Sequence, residues 1–139
     1  MKQFAIYGKG GIGKSTIAAG ISLSLAKQGN RVLHIGCDPK SDSSLVLVKR
    51  KEEFRTAVSQ MGQIDADDME ATDLLMEGRA GIDCLEAGGP EAGIGCGGRA
   101  VSKALETFDD VGLLDEDGEP MVSDFGLAYR LDGDSKLTL

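Results

Sequence analysis

A glycine-rich octapeptide near the start of the chain, GKGGIGKS at 8–15, constrains the possible folds more than any other feature. It fits the form GxxxxGK[ST] without a mismatch, and its setting is the one that form requires. The alternating run Lys2 to Tyr7, KQFAIY, reads as a short β-strand before it, and apolar residues at Ile17, Ile21 and Leu25 read as a helix after it. Such glycines let backbone N–H groups turn inward around phosphate oxygens, while the start of the following helix adds a partial positive charge. Gly8, Lys9, Gly10, Gly11, Ile12, Gly13, Lys14, Ser15 and Thr16 are therefore the candidate phosphate-binding residues. Lys14 is placed to reach the outer phosphates, Ser15 to ligate Mg²⁺, and Thr16 to support the turn on its nucleotide side.

Gly29 stands where a helix stop is expected, and Arg31 to Ile35, RVLHI, reads as a second buried strand, which makes a βαβ unit with a parallel pair. Beyond a polar loop, the stretch 45–62 is expected to pass from a short apolar segment into a helix ending near Gly62. Ile64 to Gly78 reads as a short surface helix, Gly81 to Leu85 (GIDCL) as a third strand, and Arg99 to Phe108 as a helix. The fold class is α/β: a P-loop domain with a mostly parallel sheet flanked by helices. A length of 139 residues suits one such domain or a piece of a larger one. A net charge of −8 argues against a broad surface for nucleic acid or anionic membrane. The first residues lack a leader-like apolar stretch, and no run approaches the ~18 apolar residues of a membrane span, so a cytoplasmic protein is expected. Three cysteines, an odd number, do not make a disulfide framework.

Glycine is the compositional outlier, with 20 residues concentrated at 8–13 and 88–98. The second cluster, EAGGPEAGIGCGGR from Glu86 to Arg99, surrounds Cys96 with residues that let amide N–H groups approach closely, and a helix start after it would favour a thiolate. Cys37 and Cys84 read instead as packing thiols, and His34 as a satisfied or edge histidine in an apolar strand. The segment CDPKSDS, Cys37 to Ser43, leaves the second strand at the end where open α/β sheets bind ligands, so its acids are directed toward the phosphates.

Taken together, GKGGIGKS with its early Lys9, CDPKSDS, and EAGGPEAGIGCGGR resemble the nitrogenase iron-protein and protochlorophyllide reductase iron-protein family over about residues 1–112. The resemblance implies an ATP-dependent homodimer that carries a [4Fe-4S] cluster and passes low-potential electrons to a catalytic reductase component. In that family Lys9 would cross to the partner subunit's nucleotide, and Asp38 would act near Mg²⁺ and the attacking water. Lys40 and Asp42 would couple nucleotide state to the dimer surface, and Cys96 would be one of two cysteine ligands from each subunit. Lys9, Lys14 and Asp38 are thus the implied catalytic residues. Arg99 matches an arginine that contacts the partner protein in nitrogenase, and it tilts the reading toward nitrogenase over tetrapyrrole reduction.

The resemblance changes after residue 112. No cysteine follows Cys96, so the expected second thiolate of the cluster is absent and electron transfer by this chain is expected to be impaired. From Leu113 the tail resembles a Ser/Thr protein kinase around its DFG loop, Asp124-Phe125-Gly126, with two short strands joined by DEDGEP. One reading makes 113–139 a foreign piece fused near Asp110 to Leu113, and it is the favoured one. The other makes it a diverged switch II in which Asp124 still serves Mg²⁺. Two rival functions remain open, a non-redox partition or septum-site ATPase and an inactive fusion fragment.

Overall fold

The computed structural model describes residues 3–6, 8–38, 40, 43–88, 106–107, 110 and 121–123. The phosphate loop is followed at once by α1 (Lys14–Lys27), as the sequence pattern requires. That helix ends where Gly29 takes φ 87°. There the Gly29 N–H donates to the Ala26 carbonyl at 3.0 Å and the Asn30 N–H to the Leu25 carbonyl at 3.2 Å, which satisfies two carbonyls of the last turn. The buried stripe of α1 is narrower than its apolar sequence suggests. Ala18, Ala19 and Ser22 face inward, Ile21 and Leu25 are half-buried, and Ile17 is exposed. Small side chains let the helix lie close to the sheet.

Five strands form that sheet: β1 (Gln3–Ala5), β2 (Leu33–Gly36), β3 (Met76–Glu77), β4 (Asp83–Glu86) and β5 (Met121–Ser123), in the spatial order β1-β5-β2-β4-β3. β1, β5, β2 and β4 run parallel, and β3 closes one edge antiparallel to β4. The expected βαβ unit is present, but its two strands are not neighbours. β5 lies between them, pairing Phe4 with Val122 on one side and His34 with Val122 on the other. Of the tail 113–139, these three strand residues are the ones described.

Strand alternation builds two cores, one on each face of the sheet. Leu33, Ile35, Leu85 and Ala87 pack with Ala57 of α2 (Ala57–Met61), Leu74 of α3 (Ala71–Leu74), and Met69. Val32, Ile82 and Cys84 pack on the other face with Ala18 and Ala19 of α1, Leu47, Val48 and Met76. The stretch expected to be a surface helix at 64–78 is instead a short turn, α3 and β3. Its Leu74 and Met76 are core residues at 2% and 3% exposure, each worth about 1.5–3 kcal/mol of burial. Arg55 secures this excursion. Its guanidinium donates to the carbonyls of Asp73 (2.7 Å), Thr72 (3.0 Å) and Leu75 (2.6 Å) at the end of α3. A cation there also complements the negative end of the helix dipole. Of the helix expected over 99–108, Glu106 and Thr107 are described, and both are helical.

His34 is fully buried beneath α1, with Nδ1 2.9 Å from the Ser22 hydroxyl and Nε2 without a partner among the described residues. Burial lowers its pKa to about 4 from the ordinary 6.5. Between those values the unfolded chain binds the proton that the folded chain refuses, so stability is whole above pH 6.5 and falls as the pH drops toward 4. A shift of this size corresponds to about 3 kcal/mol. On lowering the pH from 6.5 to 5, the melting temperature of the wild type is expected to drop relative to that of His34→Gln. Buried Glu86, held above the usual carboxylate range, contributes the opposite slope in both proteins, so their difference isolates the ring. Equal slopes would show that His34 is not the titrating group.

Candidate functional site

The parallel strands deliver their C-terminal ends to one edge of the sheet, and the candidate nucleotide and metal residues read from the sequence follow those ends in the chain. β1 leads into 8–16, β2 into Asp38, Lys40 and Asp42, β4 into the sequence that carries Cys96, and β5 into Asp124. Open α/β sheets bind their ligands at this edge, where the strand order reverses direction. Asp42, Cys96, Arg99 and Asp124 lie outside the described residues.

The phosphate loop has the form an anion requires. Gly13, the residue before α1, has φ 93° and ψ 20°, and no side chain caps the helix start. The first turn holds no acidic residue and instead begins with a cation, Lys14. A lysine at the positive end of a helix dipole is locally unfavourable, and it becomes favourable when an anion sits between the two. Side chains built at Gly10, Gly11 and Gly13 would meet nothing within 4 Å among the described residues, whereas one at Gly8 would meet Ile12 Cδ1 at 2.9 Å, so the loop is open around its middle glycines and closed at its start. Lys14 Nζ arches back to donate to the Lys9 carbonyl at 3.2 Å, while Lys9, Ile12 and Thr16 are exposed and Ser15 is half-buried. The residue types and the helix start suit an anion such as a phosphate.

The second loop starts at Cys37, half-buried against the Leu33, Ile35 and Leu85 core. Asp38 is half-buried too, and its Oδ1 accepts the Lys40 N–H at 2.8 Å, the contact of an Asx turn. Lys40 is exposed. Cys84 is a packing residue as expected: it is fully buried, and burial pushes its thiol up to about 12. Among the described residues no group of three or more His, Cys, Asp or Glu gathers to hold a metal.

One group at this edge went unread in the sequence. Glu86, the last residue of β4, is completely buried and accepts from Ser43 and Ser44. The alternation Ile82, Cys84, Glu86 was a usable signal, since it turns a carboxylate toward the buried face beside α1.

A parallel sheet, a glycine-rich turn and an uncapped helix start that presents a lysine define a P-loop nucleotide-binding protein. The chain is similar to cobyrinic acid a,c-diamide synthase from Mycobacterium smegmatis, solved with ADP and magnesium: 25% identity, TM-score 0.60, covering 89% of this chain and 50% of that one. The same enzyme with an ATP analogue and magnesium gives a TM-score of 0.61. Residues 2–126 match the family described as 4Fe-4S iron sulfur cluster binding proteins, NifH/frxC family, and the chain belongs to it. Among curated relatives, the light-independent protochlorophyllide reductase iron-sulfur ATP-binding protein of Pelodictyon phaeoclathratiforme is 46% identical over 114 residues, which are 81% of this chain and 41% of the relative. The protein of the same name from Methylorubrum extorquens is 44% identical over 123 residues, 88% of this chain and 41% of the relative. The chain thus spans about two fifths of the length of these relatives. Both are named for protochlorophyllide reduction rather than nitrogen fixation. Among the described residues no helix is long and apolar enough to cross a membrane.

Proposed function

We propose that these residues form the phosphate-loop part of an ATP-driven iron-sulfur electron donor, a homodimer that serves a partner reductase. A tetrapyrrole reductase is the partner class favoured by the relatives' names, which replaces the tilt toward nitrogenase drawn from Arg99. The observation that carries the reading is the uncapped start of α1, where Lys14 faces an open glycine loop. Backbone N–H groups of 8–16 bind the phosphates, Lys14 neutralises the outer ones, and Ser15 ligates Mg²⁺. Asp38 orients water on the metal side. Lys9, exposed at the loop's outer face, stabilises charge on the phosphoryl group bound by the partner subunit. Lys40 and Asp42 relay nucleotide state to the dimer surface, and Cys96 is the cluster ligand that this stretch contributes. The cluster, when bound, supplies a one-electron carrier at low potential.

The same reading takes in β5. Its parallel place between β1 and β2, and a family match that runs to residue 126, support a diverged switch II rather than a foreign tail, with Asp124 serving Mg²⁺. Calorimetric titration with MgATP and sedimentation velocity with and without it test the proposal. Saturable binding and a nucleotide-dependent dimer are expected. A chain that binds no MgATP overturns the reading.

A further inference from the structure

Glu86 is an expensive residue to keep at the end of β4. It is 0% exposed, and burial together with the negative charge of Asp38 holds its carboxyl above the usual range. A buried carboxylate needs dense hydrogen bonding to be tolerated. Oε2 accepts the Ser44 N–H at 2.8 Å and the Ser44 hydroxyl at 2.8 Å, and the Ser43 hydroxyl lies 3.1 Å from Oε1 and 3.2 Å from Oε2. Those serines end the loop that begins at Cys37. The loop's other end is fixed by β2, where Gly36 is the register partner of Glu86 and accepts the Ala87 N–H at 2.7 Å. A Cβ on Gly36 would collide with Glu86 Oε2 and Ser43 Oγ, so the bare backbone there makes room for the carboxylate to cross between strands. Two neighbouring strand ends therefore hold both ends of the segment that carries Asp38 and Lys40.

We propose that Glu86 is a positioning residue for the nucleotide site: it fastens the 37–44 loop across the end of the sheet, so that Asp38 meets magnesium nucleotide from a fixed backbone. This rests on the nucleotide-binding reading above. An apolar residue at position 86 would cost less in burial but would leave the Ser44 N–H and two hydroxyls without their acceptor.

The test compares wild type, Glu86→Ala, Glu86→Gln and Ser44→Ala in the full chain. Hydrogen exchange is measured without nucleotide, and ATP affinity with Mg²⁺ and with EDTA. Glu86→Ala is expected to speed exchange in peptides covering 37–45 about tenfold and to weaken MgATP binding about tenfold, leaving magnesium-free ATP binding within about twofold. Glu86→Gln, which keeps an acceptor for Ser44 and offers a donor to the Ser43 hydroxyl, is expected to restore most of both. A core variant, Cys84→Ala, lowers the melting temperature and leaves the magnesium dependence unchanged, which a merely structural role for Glu86 would also do. If Glu86→Ala does not fold, Ser44→Ala carries the comparison with about a threefold effect. Wild-type exchange at 37–45 in Glu86→Ala and Ser44→Ala, or an unaltered magnesium dependence in them, overturns the proposal. Failure of the wild type to bind nucleotide overturns the functional reading instead, and the nucleotide-free exchange data still decide whether Glu86 fastens the loop.

Discussion

Lys14→Ala is expected to weaken MgATP binding by about 100-fold or more while moving the melting temperature of the nucleotide-free chain by only a few degrees. The two halves of this expectation come from the same geometry. Without nucleotide the ammonium has one described hydrogen bond, to the Lys9 carbonyl at 3.2 Å, a contact worth about 1 kcal/mol or less in a half-exposed setting. Its position at the start of α1 even opposes the helix dipole, so losing the charge relieves part of that cost. With phosphate in the loop the same cation is paired and partly shielded from water, where truncating one partner costs about 2–5 kcal/mol. Lys9 offers the contrast. It is exposed, so Lys9→Ala is expected to leave affinity nearly intact and to abolish the proposed nucleotide-dependent dimer. Calorimetry on each variant, with sedimentation velocity beside it, separates the two lysines. Unchanged affinity in Lys14→Ala would mean that the glycine loop is only a turn.

The loop was legible because everything that defines it is local. Strand, glycines, lysine and helix follow one another within about 25 residues, and the helix stop at Gly29 is written in the same stretch. What the sequence hid is non-local. A three-residue strand at 121–123 has too little periodicity to announce itself, and its place between β1 and β2 is decided by pairing across more than 80 residues of chain. Ile17, Ile21 and Leu25 pointed to the right helix but not to its buried face, because close packing on the sheet selects Ala18, Ala19 and Ser22. Leu74 and Met76 lay in an acidic stretch that reads as surface, and they reach the core because Arg55 holds the end of α3 in place. Glu86 was read as the first residue of the cysteine loop. Its role depends on serines 42 and 43 positions earlier, which no local pattern connects to it. Local chemistry is thus readable in this chain, whereas the arrangement that gathers it is set by pairing.

Cysteine chemistry gives the second large effect: Cys96→Ser is expected to abolish iron incorporation during anaerobic reconstitution and to leave MgATP affinity unchanged. The surroundings of the two described cysteines suit packing better than iron. A thiolate is the form that binds iron, and Cys84 is wholly buried, which pushes its thiol up to about 12 and disfavours that form. Cys37 is half-buried against the core that holds Leu33, Ile35 and Leu85, and it has a glycine, Gly36, on one side alone. Cys96 has glycines on both sides in the sequence. Cys84→Ser is therefore expected to retain iron and lose about 1–3 kcal/mol of stability, as a hydroxyl replaces a thiol in an apolar core. Full iron content in Cys96→Ser, with Cys37→Ser or Cys84→Ser depleted instead, would move the metal centre away from the glycine loop and separate it from the switch that the nucleotide controls.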